Sequence, residues 1–193
     1  MIITQTVPPD KEPLTLEQVK GFLRIDHDEE DSFLERLIAS ARQQAEMITR
    51  NQFITATFRY DFDAFPCGSI ELPRPPLQSI SLIQYVDSEG QLQTVSASDY
   101  QVITQGKEPG VPGSVLPAYG KSWPTPRYQP DAVRITFLAG WGLESDEIPQ
   151  PIIDWMLIRI ATLYENRQLY EPGQIATVEF VDMLLRPYVV QKV

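Results

Sequence analysis

The residues best suited to chemistry form an acidic cluster from Asp26 to Asp31, which contains the only histidine of the chain, His27. Carboxylates and an imidazole could bind a divalent cation or transfer protons, so a metal-dependent hydrolase is one hypothesis. The cluster also precedes a helical pattern, where Asp28 could cap the helix and the following acids would stabilise the positive end of its dipole. Because no second histidine completes a ligand set, we favour the helix start and predict no metal site.

Other catalytic signatures are absent from the sequence. A nucleophile paired with a histidine would have to use His27 again, and no G-x-S-x-G elbow occurs. The only cysteine, Cys67, lies in the turn-like stretch FPCGS, where a small structural residue is the simpler interpretation. Neither GxxxxGK[ST] nor GxGxxG is present. We therefore expect a protein that is not an enzyme, with no catalytic residues and no cofactor.

Two proline-rich stretches could contact other proteins. LPRPPL, residues 72–77, has PxxP spacing and could be displayed as a polyproline II ligand, which makes a proline-motif interaction module a second alternative. Strand-like runs on both sides favour a rigid connector, with Arg74 pointing to solvent or to a neighbouring subunit. Trp123 lies among basic and aromatic residues in a proline-rich loop, where it could contact nucleic acid or protein. We favour the alternative that it covers the edge of the β-region.

Two helices are predicted in the first quarter of the chain. Thr15 and Gln18 have the spacing of a capping box and begin a short helix that ends near Leu23. A long amphipathic helix then runs from about Glu29 to Arg50, because apolar residues recur along one stripe.

The middle of the chain has the pattern of β-strands and its end returns to helix. Short segments rich in β-branched and aromatic residues extend from about Phe53 to Trp141, and Ser88-Glu89-Gly90 suits a hairpin turn. Helical patterns follow from Pro151 to Arg167, with apolar residues on more than one side, and from about Thr177 to Leu185.

This order of elements predicts an α+β fold. About four helices would form a helical connector domain from residues 1–52 and 142–193, into which residues 53–141 are inserted as an antiparallel β-rich region. The division assumes that helices separated in sequence pack together.

Composition limits the classes of function. The chain has 193 residues, 42% of them hydrophobic, which is enough to build a core. Its net charge of −10 argues against a surface that binds phosphate backbones as a whole. A single cysteine, no secretion signal and no apolar run of about 20 residues predict a soluble protein made in a reducing cytoplasm, without membrane contact.

Four motifs, in their order along the chain, carry a resemblance to a known family: LTLEQVKGFLRID, LPRPPLQSI, FLAGWG, and the IPQPI and LYENR ends of one helix. Over nearly its whole length the sequence resembles head-tail connector, or adaptor, proteins of long-tailed bacteriophages and prophages, related to gene transfer agent adaptors. The resemblance implies a structural protein made in the bacterial cytoplasm and located at the head-tail junction of the virion. It also implies a dodecameric homo-oligomeric ring that binds the portal protein and a stopper or tail-completion protein, and through which DNA passes without sequence-specific contacts.

The family supplies no fixed motif of binding residues, so candidate interface residues follow from apolarity and position alone. They are Trp155 and Ile158 on the second face of the predicted 151–167 helix, Tyr188, Val189 and Val190 in the C-terminal segment, and Trp123 and Arg74 in the proline-rich stretches. The C-terminal segment, residues 186–193, is expected to be mobile alone and ordered only against a partner.

Overall fold

The computed structural model describes residues 1–104, 110–165 and 181–190. In chain order they form the following helices and strands: β1 (Ile2–Val7), α1 (Leu16–Leu23), α2 (Asp31–Thr49), β2 (Ala56–Phe62), β3 (Ile70–Glu71), β4 (Leu77–Val86), β5 (Leu92–Thr94), β6 (Tyr100–Ile103), β7 (Ser114–Pro117), β8 (Val133–Ala139) and α3 (Gln150–Glu165). Three short 3-10 helices, Ala97–Asp99, Ser145–Glu147 and Arg186–Tyr188, complete the list. None of the helices in these ranges has the length and apolarity needed to cross a membrane.

The predicted capping box at the start of α1 is confirmed. The Thr15 hydroxyl accepts the Gln18 backbone N–H at 3.2 Å, and the Gln18 side chain accepts the Thr15 backbone N–H at 2.8 Å. These bonds satisfy two backbone donors that the first helical turn leaves without intrahelical acceptors. The helix then ends at Arg24, whose φ of 58° lies in the left-handed region.

Helices α1, α2 and α3 pack against one another around one hydrophobic core. Its buried members on α2 are Leu34, Ile38, Ala41 and Ala45, and those on α3 are Ile152, Trp155, Met156 and Ile160. Arg159 of α3 also donates to the side chain of Gln44 on α2 at 2.9 Å. The helices that flank the β-rich region in sequence therefore pack together, as the order of the elements predicts.

A five-stranded antiparallel sheet with the order β1-β2-β8-β4-β5 forms the larger part of the β-rich region. Its central strand, β8, alternates strictly between buried and half-buried residues, with Val133, Ile135, Phe137 and Ala139 on the buried face. That alternation is the period-2 pattern expected when one face of a sheet covers a core.

A three-stranded antiparallel sheet with the order β3-β7-β6 is the second layer. Ile70 of β3 and Val115 of β7 belong to the same buried cluster as Phe62, Ile83 and Ile135 of the larger sheet. A second hydrophobic core therefore lies between the two sheets, separate from the core of the helices.

The α+β class is confirmed, but two details of the prediction differ. The described residues contain three α-helices rather than about four, and the helix predicted from Thr177 to Leu185 lies largely outside them. Its described end, residues 181–185, contains two helical residues and a turn. Strand β1 was not predicted, because all six of its residues are exposed and no apolar alternation marks it.

Candidate functional site

The acidic cluster surrounds a lysine in the structure rather than an open metal site. The Lys20 ammonium of α1 pairs with the carboxylates of Asp28 and Asp31, and the bond to Lys20 lowers the pKa of Asp28. The prediction that Asp28 caps α2 is wrong, since Glu30 occupies the N-cap position. Within residues 1–104, 110–165 and 181–190, no three histidine, cysteine or acidic side chains are grouped to hold a metal ion.

The LPRPPL stretch forms a buried corner between β3 and β4. Pro75 and Pro76 are buried and joined by a cis peptide bond, and Leu72 and Leu77 are core residues. The Pro75 carbonyl accepts the backbone N–H of Gln52, and the Pro76 carbonyl accepts that of Gly140, both at 2.9 Å. The stretch is therefore a connector, as favoured from the sequence, and it does not display its prolines to a binding domain.

Arg74, predicted to point to solvent or to a neighbouring subunit, is half-buried and contacts α2 of its own chain. It has a φ of 64° and its guanidinium lies 3.4 Å from the backbone carbonyl of Glu46, near the end of α2. The corner thereby places a positive charge at the carbonyl end of the helix, where the helix dipole favours it.

Glu46 is a buried carboxylate that joins the helices to the β-rich region. One of its oxygens, Oε1, accepts the Gln52 side-chain amide at 3.0 Å and the backbone N–H of Phe53 at 3.2 Å. The other oxygen, Oε2, accepts from Arg42 at 3.0 Å. Helix α2 is thus bonded through one side chain to the segment that leads into β2.

The charges around Glu46 form a short chain. Arg42 also donates to both carboxylate oxygens of Glu12, at 2.6 and 3.1 Å. Burial raises the pKa of Glu46, and the attraction to Arg42 opposes that increase. For Arg42, burial lowers the pKa but the bonds to Glu12 and Glu46 outweigh it, so the net pKa is raised.

Two glycines of the FLAGWG motif allow the chain after β8 to pass close to the segment that leads into β2. At Gly140, φ is 138° and an added Cβ would lie 2.7 Å from the Thr55 backbone; at Gly142 it would meet the Glu147 carboxylate. The Trp141 N–H donates to the Phe53 carbonyl, and the Thr55 N–H donates to the Gly142 carbonyl, both at 2.9 Å. The motif therefore fixes the end of β8 against the start of β2.

Trp123 covers the second core. Its ring stacks on Phe65 with centroids 4.8 Å apart, and its indole N–H donates to the Gly68 carbonyl at 2.9 Å. An open groove of about 610 Å³ runs along this loop beside Lys121, Arg127 and the exposed Cys67. Of the two roles considered for Trp123, covering the β-region is the one that these contacts satisfy.

The described part of the C-terminal segment is held against the protein. Tyr188 makes an edge contact with Trp141, and its carbonyl accepts the Asn51 side-chain amide at 2.7 Å. The Val190 N–H donates to the Thr49 carbonyl at 3.0 Å. The expectation that this segment is mobile in the isolated protein is therefore wrong for residues 186–190, whereas residues 191–193 lie outside the described part.

The two candidate residues on α3 differ in accessibility. Trp155 is only 2% exposed, and its indole N–H donates to Asp182 at 2.8 Å, so its side chain belongs to the core of the helices. Ile158 is half-buried and remains available to a partner. The indole of Trp155 lies on the side of α3 that the 181–185 turn covers, and that turn brings in Asp182 from a distant part of the sequence.

Two features of the site were missed by sequence reasoning. Glu46 lies on a helix at a position where an exposed acid would look the same, so only its burial and bonding identify it. Strand β1 was not predicted, and β6 was predicted as a strand but not as an exposed edge. An uncharged stretch such as IITQTV in a chain of net charge −10 was the available signal for β1.

Comparison with known proteins gives one family and several similar structures. A family model described as phage gp6-like head-tail connector protein matches residues 13–109, half of the chain. A chain in a structure titled virion of native gene transfer agent particle aligns with a TM-score of 0.80 and 21% identity, covering 100% of this chain and 97% of that chain. A chain in the neck of the empty particle, computed with C6 symmetry, gives 0.77 and 20% with the same coverage.

A third similar chain comes from the neck of the native particle computed with C12 symmetry, with a TM-score of 0.71, 20% identity and the same coverage of 100% and 97%. At these identities the three structures establish a shared fold over the whole chain. No relative was found among functionally curated proteins.

Proposed function

Because this chain belongs to the phage gp6-like head-tail connector family, we propose that it acts as the adaptor ring in the neck of a phage or phage-like particle. The observation that carries the proposal is the family match over residues 13–109, which includes α1, α2 and the LPRPPL corner. The similar chains from gene transfer agent necks support it, because their fold extends over the remaining half.

In the proposed assembly, copies of the chain form a closed ring between the portal protein and a stopper or tail-completion protein. Twelve copies would be compatible with the C12 symmetry with which one similar neck was computed. Closed rings use head-to-tail contacts between two different patches of each subunit. The net charge of −10 suits a conduit for DNA, since like-charge repulsion disfavours adhesion of the phosphate backbone.

In this proposal the chain is a structural protein and not an enzyme. Two of the acids that supported a metal-dependent hydrolase, Asp28 and Asp31, pair with Lys20, and of the prolines that supported an interaction module Pro75 and Pro76 are buried and Pro73 is half-buried. Neither alternative gains support from the family match.

We further propose the division into a helical part, residues 1–52 and 142–193, and a β-rich part, residues 53–141. The two separate hydrophobic cores support it. Phe53, Ile54 and Trp141 pack in the core of the helices, so both proposed boundaries lie where the two parts touch. Strand β1 is an exception, because it precedes the helices but pairs with β2.

Among the candidate interface residues, those that retain accessible surface stay in the proposal: Ile158, Tyr188, Val189, Val190, Trp123 and Arg74. Because Trp155 is buried, it could affect a partner contact only indirectly, by holding α3 in place.

The test is to mix the chain with the portal protein encoded in the same genome and to measure the mass and symmetry of the complex. We expect a ring of this chain on the portal, visible by electron microscopy. A monomer in isolation is compatible with the proposal, since such a ring can require its binding partner to form. The proposal would be overturned if the chain mixed with the portal protein neither bound it nor formed a ring.

A further inference from the structure

Two edge strands of the protein are open on one side. In the larger sheet β1 pairs only with β2, and in the smaller sheet β6 pairs only with β7. No other described residue forms a backbone hydrogen bond with residues 2–5 or 100–103. Each strand therefore presents a row of backbone N–H and carbonyl groups that a further strand could pair with.

Both edges lack the features that usually block such pairing. Strands β1, IITQTV, and β6, YQVI, contain no charged residue and no proline, although the whole chain carries a net charge of −10. Their apolar side chains are accessible, with exposed fractions of 56% for Ile2, 36% for Ile3, 37% for Val102 and 41% for Ile103. Residues 2–5 pair with β2 in one unbroken register before the shift after Gln5, and this stretch of four residues has the same length as β6.

The remaining edges are poorer acceptors. Strand β3 has two residues, one of them Glu71. Strand β5 has three, and the side chain of its Gln93 donates to the Asp87 carboxylate in the preceding turn at 2.8 Å. Of the edges in the described ranges, β6 is thus the longest uncharged partner for β1.

We propose that β1 of one copy of the chain adds as a strand to the open edge of β6 in the next copy. This inference rests on the proposed ring. It supplies the two different patches that a head-to-tail contact needs, and it joins strongly acidic subunits through edges that carry no charge. Backbone hydrogen bonds hold the two strands together, and Ile2 and Ile3 pack near Val102 and Ile103 of the neighbour.

Cysteine cross-linking tests the contact in the assembled complex with the portal protein. Cys67 is first replaced by serine, and Ile3→Cys is then combined with Val102→Cys or with Ile103→Cys, to allow for either register. After oxidation, at least one pair should give a ladder of dimers, trimers and larger covalent species, at least tenfold above either single variant. All these side chains are exposed, so folding should persist, which circular dichroism can verify.

Each alternative contact gives a different result. A ladder from Ile3→Cys with Leu92→Cys, but not with position 102 or 103, would place β1 on β5 and overturn the inference. A dimer from Ile3→Cys alone would indicate pairing of β1 with itself and would also overturn it. Rings that form normally without any of these cross-links would refute the strand contact while leaving the connector role intact. If the wild-type chain forms no ring with the portal, both proposals fail.

A second measurement uses charge instead of cross-linking. Ile3→Lys and Val102→Lys should each reduce ring formation on the portal at least tenfold, because a charge on an edge strand opposes pairing. Leu92→Lys, at an apolar position on the β5 edge that is 49% exposed, is the control and should assemble like wild type. Equal loss in all three variants would contradict the specific pairing of β1 with β6.

Discussion

The carboxylate of Glu46 accepts the backbone N–H of Phe53 at 3.2 Å, which joins the last turns of α2 to the segment that enters the first long strand of the β-rich region. Seven positions separate the two residues, and the same oxygen also accepts the Gln52 amide. Because both residues are buried and Phe53 packs in the core of the helices, this bond fixes α2 against the segment that leads into β2.

Replacement of this carboxylate should therefore destabilise the whole protein. Glu46→Ala should lower the free energy of unfolding by about 3 kcal/mol, since it leaves Arg42 and the Phe53 N–H without their buried acceptor. Gln43→Ala, at an exposed position of the same helix, should change it by less than about 0.5 kcal/mol. Denaturant unfolding of both variants measures the difference, and equal effects would show that the Glu46 bonds contribute nothing.

The pH dependence of stability should carry the signature of the same group. Burial raises the pKa of Glu46 above its ordinary value of 4.5, so the folded state holds this proton more tightly than the unfolded state. Its contribution to stability is therefore fully present below that ordinary value and is lost as the pH rises through the raised pKa.

Glu46→Gln lacks this titration, and its amide oxygen can still accept the Phe53 N–H. The free energy of unfolding of wild type minus that of Glu46→Gln should accordingly decrease from pH values below 4.5 to about pH 7. An increase over the same range would mean that Arg42 dominates and lowers the pKa of Glu46.

Gly140 should tolerate no side chain. Its φ of 138° and the 2.7 Å approach of an added Cβ to the Thr55 backbone predict a loss of about 3 kcal/mol for Gly140→Ala. Gly21→Ala is the matched control, because nothing lies within 4 Å of its Cβ position in α1. It should instead stabilise the protein by about 0.5–1 kcal/mol through its helix propensity. Thermal unfolding would contradict this account if the two variants shifted in the same direction.

The C-terminal segment should contribute to stability without any partner. Tyr188→Ala removes the ring contact with Trp141 and should cost about 2 kcal/mol. Tyr119→Ala should have no measurable effect, since Tyr119 is fully exposed. Limited proteolysis provides a second measurement: in Tyr188→Ala, cleavage after Leu185 should accelerate at least tenfold relative to both wild type and Tyr119→Ala. Unchanged cleavage would instead support the expectation from the sequence that residues 186–190 are mobile in the isolated protein.

The sequence by itself determined the elements whose signals are local. The capping box of Thr15 and Gln18, the stripe of α2 and the alternation of β8 each need only neighbouring residues, because helix and strand periods are fixed by backbone geometry. The α+β class and the packing of the helices against one another followed from the order of those elements. The family resemblance, carried by motifs in sequence, was confirmed by the family match.

Only the tertiary structure decided which side chains meet across the chain. Nothing local distinguishes Glu46 from a solvated helix acid, and its burial depends on Phe53 and on the Arg74 corner brought to it by the sheets. Trp155 was assigned to a surface from an apolar second face, whereas Asp182 and the following turn enclose it. Strand β1 has no apolar alternation because both of its faces are exposed, so its place in the sheet depends on backbone pairing with β2, which a side-chain pattern does not encode.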